Sequence, residues 1–156
     1  MRPRRLLPVA VVATAFVGVI AAAHAMAGPG AAVDAVDAPI GPGDVTVSIT
    51  IRHSRFNPNH LRVRPGTTVH FVLSNDDPIG HEFIIGDDEV HRRHEAGTEP
   101  VHPPRPGEVS IAPGTTAETT FTFPDTAASG NVLFACHLPG HFRYGMSGTV
   151  DVVPSA

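Results

Sequence analysis

One cysteine, Cys136, stands alone in 156 residues. The chain therefore has no internal disulfide, and a lone thiol in an oxidising compartment is expected to be buried, metal-bound or both. Basic residues are also few, 11 Lys and Arg against 15 Asp and Glu. With no basic cluster to neutralise phosphates, a nucleic-acid partner is excluded. No convincing helical period runs through the chain beyond its first residues, which argues against a helical bundle. Glu82 and Glu95 have no paired substrate cleft visible in the sequence, so neither is assigned to acid-base work and no enzymatic activity is expected.

What is present divides the chain into three parts. Residues 1–25 read as a secretion signal: Arg2, Arg4 and Arg5 make a basic start, Leu6 to Ala23 is almost wholly apolar, and Ala23-His24-Ala25 suits a signal peptidase. Left uncleaved, this run of 18 residues is near the lower limit for spanning a bilayer and would act as an N-terminal membrane anchor. No cysteine follows it to carry a lipid, and Arg4-Arg5 alone does not select a twin-arginine route. The expected location is periplasmic, secreted or tethered to the outer face of the cytoplasmic membrane. Cleavage after Ala25 removes three basic residues and leaves eight against 15 acidic ones, a net charge of −7.

Residues 26–44, rich in Ala, Gly, Pro and Asp, read as a flexible linker. From residue 45 to 156 short runs alternate with turn residues. Val45, Val47, Ile49 and Ile51 alternate with Thr46, Ser48 and Thr50, and Leu61 and Val63 repeat the pattern after Asn57-Pro58. Further strands are expected over 67–75, 83–85, 109–111, 115–123, 132–135 and 148–153. About eight strands, each with an apolar face to cover, predict an all-β sandwich of two packed sheets. Gly86 to Pro106 breaks the pattern and is expected to be a long surface excursion with one helical turn.

The chemistry concentrates in Cys136-His-Leu-Pro-Gly-His141-Phe-Arg-Tyr-Gly-Met146, a C-x4-H-x4-M run. A thiolate donates strongly to copper, imidazole binds both of its oxidation states, and a thioether is a weak neutral ligand tolerated by the reduced ion. Zinc accepts Cys and His but gains little from Met. A second imidazole is offered by His81, placed after the turn Asp77-Pro78-Ile79-Gly80 at a strand entrance.

These segments, Gly80-His81-Glu82-Phe83 and the 136–146 run followed by Gly148-Thr149-Val150, resemble the cupredoxin family of blue copper proteins, over roughly Val45 to Val153. The resemblance implies a Greek-key sandwich and one type 1 copper ion cycling between Cu(I) and Cu(II). It places His81, Cys136 and His141 in the equatorial plane and Met146 on the axis. The loop spacing is more similar to rusticyanin-type members than to plastocyanin. Glu82 stands where many small members have an asparagine that ties the two copper-binding loops together, which leaves that link open.

The function expected is electron transfer by an exported monomer, its partners being redox donor and acceptor proteins such as cytochromes or a terminal oxidase. The alternatives are an extracytoplasmic copper carrier or storage protein, an electron-transfer partner of a copper oxidase system, and a metal-free adhesion domain. His137 follows the cysteine, but Ala135 precedes it, so the histidine pair that would lead to a trinuclear centre is incomplete. His91, His94 and His102 could make an auxiliary copper or zinc site, while His53, His60 and His70 read as scaffold or surface residues.

Overall fold

A computed structural model describes residues 38–97, 102–125 and 130–154. The leader and most of the linker lie outside the described residues. The described residues form nine strands and one helix, in order β1 (Gly43–Ile51), β2 (Phe56–Asn57), β3 (His60–Val63), β4 (Thr67–Asn75), β5 (His81–Gly86), α1 (Asp88–Glu95), β6 (Glu108–Ile111), β7 (Thr116–Thr122), β8 (Gly130–Ala135) and β9 (Ser147–Val152). They form a four-stranded sheet ordered β2-β1-β4-β7 and a five-stranded sheet ordered β3-β9-β8-β5-β6. The β1–β4 and β3–β9 pairs are parallel and the other strand pairs antiparallel. This is the β-sandwich that the alternation predicts, with β2 as an additional two-residue strand.

The alternation translates directly into burial. In β4, Thr67, Val69, Phe71, Leu73 and Asn75 are buried and the residues between them are not. Phe56, Phe71, Phe83 and Phe134 meet between the sheets, with ring centroids 4.9 to 5.7 Å apart. Each such ring, withdrawn from water, stabilises the fold by about 1.5–3 kcal/mol. Folding starts ahead of Val45: β1 begins at Gly43, and Ile40 exchanges backbone hydrogen bonds with Arg62 and Arg64 at 2.9 and 2.8 Å.

Strand β5 is buried at five consecutive positions because the core covers one face and α1 the other. That explains why its sequence shows an apolar run without alternation. The helix itself differs from the expected single turn. Asp87 caps it by accepting from the Val90 amide at 3.0 Å, acidic Asp88 and Glu89 open it, and Arg92, Arg93 and His94 close it, as the helix dipole favours. Its eight residues bury His91 and His94 rather than aliphatic side chains, so it carries no apolar stripe to read.

Candidate metal centre

The loop between β8 and β9 brings three predicted positions to one end of the sandwich. The Cys136 amide donates to Met146 O at 3.1 Å and the Met146 amide to His141 O at 3.0 Å. Between them, His141 N to Leu138 O, Tyr144 N to Gly140 O and Gly145 N to Phe142 O make successive tight turns. Gly140 and Gly145, at φ of 87° and 86°, hold the left-handed conformations that these turns require. Five-residue intervals along the chain thus become neighbours in space.

His81 enters from the first residue of β5, on the strand adjacent to β8. Its Nδ1 lies 3.3 Å from Nδ1 of His141, which lies 3.2 Å from Cys136 Sγ. Donors about 2.0–2.3 Å from a single ion stand roughly 3.4–3.8 Å apart, so this trio is within a few tenths of an ångström of ligand spacing. Cys136 and Met146 are fully buried and His81 nearly so, while His141 is half-buried. The Met146 backbone is fixed opposite Cys136, and its side chain is withdrawn from water beside the trio's loop.

The surrounding groups fix the donors. Asp77 Oδ2 accepts from His81 Nε2 at 3.0 Å, so in the neutral ring Nδ1 keeps its lone pair toward Cys136 and His141. Asp77 in turn is gripped by the amides of His53 at 2.7 Å and Ser54 at 2.8 Å. Those two residues adopt positive φ of 53° and 52°, an unusual consecutive pair that aims both N–H groups at one carboxylate. Burial alone would raise the Asp77 pKa, but the two amides and His81 outweigh it and hold the carboxyl below its ordinary value. Asn75 spans the same end of the sheet, donating to the carbonyls of Ile79 at 2.8 Å and Ala112 at 3.1 Å.

Glu82 closes the link left open by the sequence. Its amide donates to Cys136 Sγ at 3.3 Å, and its carboxylate accepts from the His137 amide, so it joins the two loops from both ends. Burial pushes the Cys136 thiol up to about 11. A thiol that resists ionisation in a dry site gives up its proton when a cation supplies the opposing charge. Burial, then the neighbouring His81, lowers the His141 pKa and so favours the neutral ring, the form that can bind a metal.

The other histidines separate into groups. His60 and His70 are exposed and pair with Asp151 and Glu118, each at 3.0 Å. His53 serves through its backbone amide. The excursion's three histidines do not converge: His91 Nδ1 meets His137 Nε2 at 2.9 Å, whereas His94 and His102 meet at Glu108. Sequence reasoning missed Asp77 and Asn75. Their visible signal was a carboxylate four residues before His81, in a segment closing a strand.

His81, Cys136 and His141, with Met146 behind them on the loop, match the donor set of a mononuclear type 1 copper site. The chain matches the copper binding proteins of the plastocyanin/azurin family over residues 43–153. It is similar to the copper-resistant cuproprotein CopI of Rubrivivax gelatinosus, 34% identical over 97% of this chain and 96% of that one. CopI of Pseudomonas aeruginosa is 30% identical over 99% of this chain and 100% of that one. Among solved structures, auracyanin A of Chloroflexus aurantiacus, a blue copper protein, aligns with a TM-score of 0.54 and 26% identity, covering 71% of this chain and 100% of that one. The reduced auracyanin of Roseiflexus castenholzii, at 24% identity, supports the fold with a TM-score of 0.55 over 70% of this chain and 97% of its own.

Proposed function

Since the chain belongs to the plastocyanin/azurin family of copper-binding proteins, we propose that it is an exported one-electron carrier whose copper is held by His81, Cys136, His141 and Met146. The observation that carries this reading is the convergence of three donors: His141 Nδ1 lies 3.2 Å from the buried Cys136 thiol and 3.3 Å from His81 Nδ1, all three within 4.8 Å of one another. Bound copper supplies the one-electron couple. Cys136, His81, His141 and Met146 would hold the ion, the thiolate providing the electronic path, the two imidazoles binding both oxidation states and the thioether adding a weak neutral donor.

Rigidity supports transfer over exchange chemistry. Asp77 and Glu82 hold His81 and Cys136 from outside, so little moves when the charge at the centre changes. The half-buried His141 lies amid Leu138, Pro139 and Phe142, with Ile79 46% and Tyr144 75% exposed nearby in the sequence of the two site loops. This end is where a redox donor or acceptor would dock. Residues 1–25 are read as the leader or anchor, 26–44 as the linker and 45–156 as the copper domain, on the sequence pattern given above. The affinity with rusticyanin-type members rests on the C-x4-H-x4-M spacing.

A second reading is copper handling, favoured by the name of the two relatives above, copper-resistant cuproproteins. A carrier would use the same donors but release the ion readily. The test of the main reading is to add Cu(II) to the purified mature protein and record absorption and electron paramagnetic resonance. An intense band near about 600 nm, lost in Cys136→Ser, together with fast reversible redox and slow copper release, is expected. A colourless or redox-silent adduct would overturn electron transfer, and rapid release would favour the carrier.

A further inference from the structure

On the outer face of the five-stranded sheet, where α1 packs, lies a second cluster of ligand atoms. His94 comes from the last turn of α1, Glu108 from the first residue of β6, and His102 from the segment leading into β6. Their side chains are 1%, 8% and 12% exposed. Both imidazoles present Nε2 to the same oxygen, Glu108 Oε2, at 3.1 Å for His94 and 3.3 Å for His102. The three donor atoms lie within 4.8 Å of one another.

The tautomers matter. His102 Nδ1 lies 2.7 Å from Pro103 O, an acceptor only, so Nδ1 carries the proton. In the neutral ring Nε2 is then a bare lone pair aimed at a carboxylate oxygen, two acceptors face to face. A metal ion between them or a proton on Nε2 makes that contact favourable, and a backbone carbonyl holding the distal N–H is the usual support of a metal-bound imidazole. Two ligands about 2.0–2.1 Å from one ion in tetrahedral array lie roughly 3.3 Å apart, and the observed separations are 3.1 and 3.3 Å.

A neighbouring ring adds a second observation. His91 Nε2 donates to Leu133 O at 3.1 Å, which leaves His91 Nδ1 to accept from His137 Nε2 at 2.9 Å. His137 Nδ1 is then an unprotonated lone pair, and among the described residues it is the buried side-chain atom found without a partner. The His137 ring stacks on His94 at 6.0 Å between centroids. Unsatisfied buried acceptors are costly in an ordinary interior.

We propose that His94, His102 and Glu108 form a second metal site for a divalent ion of the zinc or cupric class, separate from the thiolate centre. Two imidazoles and a carboxylate suit Zn(II) or Cu(II) and, lacking sulfur, offer little to Cu(I). Three protein donors leave a fourth position for solvent or an added ligand. Arg93 and Arg105 approach Glu108 at 3.7 and 3.6 Å, beyond hydrogen-bond length, and their side chains are 34% and 42% exposed. The competing arrangement is a protonated His102 paired with Glu108, which fills the gap with a proton instead of a metal.

The experiment starts from the mature protein carrying one equivalent of Cu(II), titrated separately with Zn(II) and with further Cu(II). Bound metal is counted by calorimetry and elemental analysis. Each ion is expected to add one saturable equivalent, the Cu(II) arm showing a resonance signal of nitrogen and oxygen ligands with no new band near about 600 nm. His102→Ala, in a surface segment, should weaken this equivalent about tenfold or more and leave the thiolate band unchanged; Glu108→Gln gives an independent check, and His70→Ala should have no effect. Absence of a second equivalent, or one indifferent to both His102→Ala and Glu108→Gln, would overturn the site. Because Zn(II) is counted without reference to colour, failure here is distinguishable from failure of the blue-copper reading.

Discussion

Asp77 Oδ2 accepts a hydrogen bond from His81 Nε2 at 3.0 Å, and this one contact decides which nitrogen of His81 faces Cys136. The carboxylate is held in place by two backbone amides of the β1–β2 turn, 23 and 24 residues earlier in the chain. The orientation of a ligand is thus set through a loop that supplies none of the donors.

Asp77→Ala removes both functions. Copper affinity should fall roughly 10–100-fold, and stranding the His53 and Ser54 amides should cost about 1–3 kcal/mol of stability. Competition with a chelator and urea denaturation measure the two effects. Unchanged affinity would show that His81 is oriented by something else.

Metal uptake should release a proton from Cys136. With the thiol pushed up to about 11, protons compete with the ion at every pH below that value, so affinity should rise about tenfold per pH unit around neutrality from this group. Without metal the linkage runs the other way for stability. The folded-state value of about 11 exceeds the ordinary 9.0, so stabilisation of the buried neutral thiol is complete below pH 9 and is lost as pH rises through 11. That loss, on the order of 2–3 kcal/mol, should be absent in Cys136→Ser when metal-free melts are compared across this window.

Gly148 sits where β9 crosses the core. A Cβ there would collide with the Phe134 ring and with the backbone carbonyl of Asn59, and that backbone cannot swing aside as a flexible side chain can. Gly148→Ala should destabilise by about 1–3 kcal/mol, read as a lower urea midpoint with an unchanged slope. A neutral result would mean that β9 shifts freely.

Met146→Leu tests the proposed thioether donor. The thioether donates weakly and stabilises the oxidised ion more than the reduced one, so an apolar replacement should raise the reduction potential while the thiolate band survives. Voltammetry of the two proteins decides it. Identical potentials would remove Met146 from the donor set.

The strands were legible where burial is one-sided. Val47, Ile49 and Ile51 in β1, and Val69, Phe71 and Leu73 in β4, alternate because one face meets the core and the other meets water. The helix was not legible, since its inward residues are His91 and His94, which carry no hydrophobic period. The split among the excursion's histidines was equally hidden. His91 and His94 are three residues apart on one helix, yet one turns to His137 and the other to Glu108.

The amino-acid order by itself determined the sandwich and the chemistry of the centre, because a period of two dictates which side chains are buried and because Cys136, His141 and Met146 share one short loop. Only the tertiary structure decided how that centre is held. Asp77 reaches His81 through a turn anchored by His53 and Ser54, Glu82 reaches Cys136 across 54 positions, and His94 reaches Glu108 across 14. Such contacts depend on strand pairing and on the rotation of each ring, and these are set when the sheets close, by packing that no local run of residues encodes.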